Sequence, residues 1–126
     1  MDQKTETLSK AVIGDAIRVH QELGPGLLES VYQQCLALEI QSMGLRVEVE
    51  VPVEVEYRGQ LISDQGFRLD LLVEGCLVVE LKSVEKVKPV HKKQLLTYLK
   101  ITGHRLGLLI NFNEVLLKDG ITRIAN

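Results

Sequence analysis

At 126 residues, 45% hydrophobic and 25% charged, the chain is long enough to bury roughly two-thirds of its surface in one core and short for two, so one domain over 1–126 is expected. It holds no apolar run of membrane-spanning length and no charged-then-apolar leader, so a soluble, unexported protein is expected, with the cytoplasm as its location and no membrane partner. A net charge of −2 argues against indiscriminate attraction to nucleic acid, and Cys35 and Cys76, isolated and without metal-ligand spacing, read as buried free thiols.

Leu8, Val12, Ala16, Val19 and Leu23 recur at helical spacing and then meet Gly24-Pro25-Gly26, which predicts a first helix near 7–23 and a reversal after it. A second helix is predicted from Leu27 to about Met43, with Leu28, Val31, Cys35, Leu36 and Ile40 toward the core. Glu29 stands in its first turn, three residues before Tyr32, where the helix dipole alone favours a carboxylate by about 0.3–1 kcal/mol. Val47, Val49, Val51, Val53, Val55 and Tyr57 alternate with mostly charged residues, the pattern of a strand with one wet face. Pro52 makes that strand an edge or breaks it, and Arg58-Gly59 reads as a turn.

Two apolar strands follow within FRLDLLVEGCLVVELKS, and they carry Asp70, Glu80 and Lys82. A charge withdrawn from water is costly unless it is paired or holds a metal. Strand alternation sorts Val78, Glu80 and Lys82 onto one face. Asp70 joins them if the connecting loop is three residues, Val73-Glu74-Gly75 with a left-handed Gly75; this would set Asp70 across from Val78 and diagonal to Glu80. A two-residue Glu74-Gly75 loop would send Asp70 to the opposite face. Converging carboxylates suit Mg²⁺ or Mn²⁺, and Lys82 could then position water or stabilise charge on a phosphorus-bound oxygen. A plain Glu80–Lys82 ion pair is the competing interpretation.

Pro89 opens a third helix running to about Ile101, with Leu95, Leu96 and Leu99 on its core side and His91, Gln94 and Tyr98 as a polar stripe. Gln94 could hold water or a phosphate oxygen, and Tyr98 could stack or donate a hydrogen bond; a polar flank with Tyr98 half-buried is the alternative. Leu106–Ile110 reads as a strand, and Lys118-Asp119-Gly120 turns into a last strand near 121–124. Charge is uneven. Residues 1–56 carry four basic and ten acidic side chains, whereas residues 82–105 carry seven basic and one acidic, net +6. Lys86, Lys88, His91, Lys92 and Lys93 therefore form a candidate phosphate-contacting surface, or else coat a solvated helix face.

Glu29, Asp70, Glu80-x-Lys82 and Gln94-x-x-x-Tyr98 together resemble the active-site pattern of the PD-(D/E)XK nuclease superfamily. LGPGLLESVY, with Gly26-x-x-Glu29-x-x-Tyr32, is similar to the signature of the GxxExxY family within it, and VELKSVEKVKPVHKKQLLTYLKITGHRLGLLINFN to that family's second half. The resemblance implies an α/β, restriction-endonuclease-like αβββαβ core, a central mixed sheet flanked by helices. It implies Asp70 and Glu80 as metal ligands, Lys82 as catalytic lysine, Glu29 as a helix-borne acid orienting metal or water, and Gln94 and Tyr98 as substrate-side helpers. Leu69 stands where the superfamily often has proline before the first acid. The expected function is a Mg²⁺- or Mn²⁺-dependent nuclease cleaving DNA phosphodiester bonds, with a homodimer as an expected assembly; the alternative is a non-catalytic nucleic-acid-binding or assembly module of the same fold. The few aromatics weigh against binding of single strands.

Overall fold

The structure, a computed structural model, describes residues 1–62 and 66–126. Helix α1 spans Gln3–Leu23 and begins before the first apolar repeat, because Asp2 caps it by accepting the Thr5 N–H at 2.8 Å. It ends at Gly24, whose left-handed φ of 72° lets its N–H reach the His20 carbonyl at 2.7 Å. Helix α2 spans Glu29–Ser42, two residues shorter at its start than the periodicity predicts.

The buried residues of α2 are Tyr32, Leu36, Ala37 and Ile40, whereas Leu28 is 74% exposed and Val31 is also exposed. The predicted core face is therefore rotated. Tyr32 takes the place given to Val31 because its ring stacks on Phe112 at 4.5 Å, while its hydroxyl donates to the Gly24 carbonyl and accepts the Leu27 N–H at 3.1 Å. One side chain thus fills the core and pins the Gly24-Pro25-Gly26 reversal to the start of α2.

Strand β1 (Val47–Pro52) lies at the edge of a five-stranded sheet, and the predicted long strand breaks at Pro52, which has no N–H for a ladder. Strands β2 (Val55–Tyr57) and β3 (Gln60–Ile62) form a separate hairpin whose Arg58-Gly59 turn has φ of 52° and 77°, the double left-handed geometry of a tight hairpin. Strands β4 (Arg68–Val73) and β5 (Leu77–Lys82) are antiparallel neighbours. Helix α3 (Pro89–Thr102) then crosses to β6 (Leu106–Asn111), which runs parallel to β5, and a 3-10 turn at Leu117–Gly120 leads into the antiparallel edge strand β7 (Ile121–Ala125). The sheet order β1-β4-β5-β6-β7 gives a mixed sheet with helices on both faces, the expected α/β architecture.

Each face has its own core. Leu71, Val79, Leu81, Leu108 and Ile110 pack against α1 and α2, while Leu69, Leu72, Val78 and Leu109 pack against Leu95, Tyr98 and Leu99 of α3. Tyr98 therefore belongs to the α3 core and not to a polar stripe; Leu96, expected there, is only partly buried. Gly107 permits close approach of that helix, since a Cβ there would lie 2.9 Å from Leu95 Cδ1. Cys35 and Cys76 are free thiols, partly buried.

The double role of Tyr32 yields a stability prediction. Tyr32→Phe keeps the stack on Phe112 but removes both loop hydrogen bonds, and should lower unfolding free energy by about 1–2 kcal/mol. Denaturant titration measures this, and wild-type stability in the variant would show that the loop is held by other contacts.

Candidate active site

The sheet opens where Asp70 sits. Pairs Leu71↔Val79 and Val73↔Leu77 set the register of β4 on β5, and continuing it places position 70 directly opposite Glu80, not diagonal to it. The loop has the expected three residues but is displaced by one, Glu74-Gly75-Cys76, with both Glu74 (φ 51°) and Gly75 (φ 66°) left-handed. A shift of one in the loop moves the register by two, so the face is preserved while the partner changes.

Beyond Leu71 the regular ladder gives way, and Asp70 Oδ2 accepts the Leu81 N–H at 2.8 Å, a side chain serving where a backbone carbonyl would. On the other side, β1 pairs with β4 at Val49↔Leu71 and Val51↔Leu69, but Glu50 between them is left-handed at φ 55°. Both strands change phase at this point: Leu69 faces the α3 core and Leu71 the α1/α2 core, although they are two residues apart. The kink aims the Asp70 carboxylate at β5.

Glu80 is only 9% exposed on the α3 side of β5, in phase with Val78. Its Oε1 is buried without a hydrogen-bond partner. Burial, then repulsion by Asp70 and a side-chain hydrogen bond with it, push the Glu80 carboxyl up to about 10; Lys82, on the same face, pulls the other way as the weakest of the causes. Burial, then the charges of Glu80 and Asp70, also push the Tyr98 phenol upward, so that its hydroxyl keeps a proton to donate beside the two acids. Asp15 of α1 is the other described residue with an unpartnered buried carboxylate oxygen, but Arg18 is hydrogen-bonded to its second oxygen. At Glu80 the first neighbour is another acid.

That orphaned oxygen is the test of whether the residues suit a divalent cation, and they do: two hard carboxylates face each other, one with an uncommitted lone-pair donor. Among the described residues, no three acidic, histidine or cysteine side chains gather closely enough to hold an ion, so the structure groups Asp70 with Glu80 but does not add Glu29. Glu29 is exposed at the first position of α2. Its end of the helix is nonetheless tied to the site end of the sheet, because Ser83 Oγ donates to the Leu27 carbonyl at 2.6 Å and Gln33, one turn after Glu29, donates to the Asp70 carbonyl at 3.1 Å and to Glu50 Oε1 at 2.8 Å.

Gln33, Glu50 and Asn111 are not among the residues that the sequence pattern singles out. The Asn111 amide is fully buried, donates to the Val84 carbonyl at 2.9 Å and accepts the Val84 N–H at 3.1 Å, so it clamps the chain just after Lys82. A buried amide closing an otherwise apolar strand was the available signal. Lys82 is partly buried, Gln94 is exposed on α3 at the rim of a groove that includes Tyr98, and Lys86, Lys88, Lys92 and Lys93 are exposed. His91 Nδ1 accepts the Lys88 N–H at 3.0 Å and so caps α3, while its ring lines a cleft of about 520 Å³ with Val84, Glu85, Lys86 and Lys88.

The raised Glu80 carboxyl makes stability depend on pH. Between pH 4.5, its ordinary value, and about 10, the folded chain holds a proton that the unfolded chain has released, so stability falls as pH rises through that window. In EDTA, denaturant titrations from pH 5 to 9 should show wild type losing up to about 1.4 kcal/mol per pH unit more than Glu80→Gln. Parallel profiles would mean that Glu80 ionises freely in the fold.

A model of the PD-(D/E)XK nuclease superfamily matches residues 6–124, from the first turns of α1 into β7. No curated protein and no solved structure matches the chain. The superfamily match spans the forked sheet, the facing acids and the helix laid over them, and on that evidence the chain belongs to the PD-(D/E)XK nuclease superfamily.

Proposed function

We propose that the protein is a divalent-metal-dependent nuclease, hydrolysing DNA phosphodiester bonds, of the GxxExxY type within its superfamily. The observation that carries this reading is the Glu80 carboxylate, buried beside Asp70 with an unpartnered oxygen and a carboxyl raised to about 10, an arrangement unfavourable to an empty fold and favourable to one that holds a cation. Nucleases of this superfamily generally use divalent metals. Asp70 and Glu80 would hold Mg²⁺ or Mn²⁺, with Glu29 orienting the ion or its water from α2. Bound there, the ion would polarise the phosphate and lower the pKa of attacking water.

The remaining work falls to the chain's own side chains. Lys82, on the face of Glu80, places a positive charge where charge accumulates on the attacked phosphate. Tyr98, kept protonated, can donate to a phosphate oxygen, and Gln94 can orient substrate from the rim. Lys86, Lys88, His91, Lys92 and Lys93 flank the start of α3 and supply attraction for a polyanion. The exposed position of Glu29, outside the acidic pair, favours the second reading: a non-catalytic nucleic-acid-binding or assembly module that keeps the fold.

Metal binding and catalysis are tested separately. Millimolar Mg²⁺ or Mn²⁺ should raise the melting temperature of wild type, since an ion bound to the native state alone stabilises it, and Asp70→Asn should abolish the rise. The same rise in Asp70→Asn would place the ion elsewhere. Single-stranded, duplex and branched DNA incubated with either metal should be cleaved by wild type, while Lys82→Ala should lose on the order of a hundredfold or more in rate and only a few-fold in affinity. Equal small losses in both, or no cleavage of any substrate by wild type, would select the binding module.

A further inference from the structure

On the α3 face beside the acids lies an apolar groove of about 350 Å³, bounded by Val53, Val55, Phe67, Val90, Tyr98 and Ile101, with Lys93 and Gln94 along its edge. Phe67 keeps 43% of its surface exposed although its backbone is held, its carbonyl accepting the Val53 N–H at 2.9 Å. Its ring stands tilted at 54° to Tyr98, with centroids 6.1 Å apart. Tyr98 joins the two regions, one part of it lining the groove and its phenol feeling the charges of Glu80 and Asp70.

We infer that this groove takes an unpaired base of a single-stranded nucleic acid, with Phe67 as the stacking platform, while the adjoining phosphate lies toward Asp70 and Glu80. The inference deepens the nuclease reading and rests on it for the substrate class. Three observations select a base over an apolar peptide or another occupant. The groove offers an exposed aromatic face fixed in place, and stacking on such a face is sequence-tolerant and worth about 1–3 kcal/mol per base. Its rim is cationic, with Lys93 at the edge and the net +6 segment 82–105 continuing along α3, which complements a chain of phosphates. It is also continuous, through Tyr98, with the carboxylates where a phosphate would be attacked. A base inside duplex DNA has its faces covered by its neighbours and cannot use Phe67, so the groove confers preference for unpaired or frayed strands. Although aromatic residues are few, two of them meet here.

Fluorescence anisotropy with labelled oligothymidylate and with a labelled blunt-ended duplex, both in EDTA to prevent cleavage, tests the inference. Phe67→Ala and Phe67→Leu should each weaken oligothymidylate binding about tenfold and leave duplex binding within twofold, whereas Phe67→Trp should keep or tighten the single-strand affinity. Thermal melts matching wild type in Phe67→Leu would remove misfolding as the cause. Wild-type affinity for oligothymidylate in both truncating variants, equal losses for the two probes, or no binding of oligothymidylate by wild type would overturn the inference. The two readings fail apart: wild type that cleaves DNA while the Phe67 variants bind normally defeats the groove alone, whereas Phe67-dependent binding by a wild type that cleaves nothing defeats the nuclease and upholds the groove.

Discussion

A carboxylate buried against another carboxylate is the constraint around which this protein is arranged. Glu80 is nearly sealed from water, carries an unpartnered oxygen and faces Asp70, so in the absence of a cation its proton is retained across the physiological range. The surroundings make this tolerable without relieving it. Asp70 is committed through Oδ2 to the Leu81 N–H, and Lys82 contributes the weakest of the effects on Glu80. What would let Glu80 release that proton is a positive charge between the acids, and Lys82, on the same face, acts on Glu80 only weakly.

The sheet supplies the opening. Regular pairing of β1, β4 and β5 would leave no room between Asp70 and its neighbours, because every strand would sit at ladder distance. The left-handed Glu50 and the side-chain substitution at Leu81 prise the strands apart at one level, and Gln33 satisfies the Asp70 carbonyl that regular pairing would have occupied. Two further anchors keep this end in shape: Asn111 clamps Val84 from β6, and Ser83 ties the end of β5 to the approach of α2. The Gly26-x-x-Glu29-x-x-Tyr32 motif is in part architectural, since Tyr32 locks the reversal that brings the first turn of α2 to the sheet.

Much of this was legible in the chain itself. Helical spacing, the alternating valines of β1, the apolar runs of β4, β5 and β6 and the turn before β7 marked the helices and the strands of the five-stranded sheet, with ends displaced by a few residues where a cap such as Asp2 lay outside the apolar repeat. The charges within the apolar β4 and β5 segments marked a site because burial of Asp and Glu is costly whatever the fold, and the parity of the loop held Asp70 on the side of Glu80 even though the loop itself was displaced by one residue.

Helical spacing read the buried faces of Leu8, Val12, Ala16 and Val19 and of Leu95 and Leu99, but tertiary structure decided the faces on which polar-tipped side chains are buried. Tyr32 and Tyr98 carry a hydroxyl, so their residue type marks them as ambivalent; Tyr32 became a core residue because the Phe112 ring lay against it, and Tyr98 because Leu69, Leu72, Val78 and Leu109 of the sheet did. The phase change at Glu50 and Asp70, the clamp from Asn111 to Val84 and the exposed Phe67 over its groove join residues 20 or more positions apart or depend on a backbone twist without a residue signature. Local pattern reports what a segment must bury and at what period. The partner that buries it, and the gap left where pairing fails, exist only once the strands and helices have met.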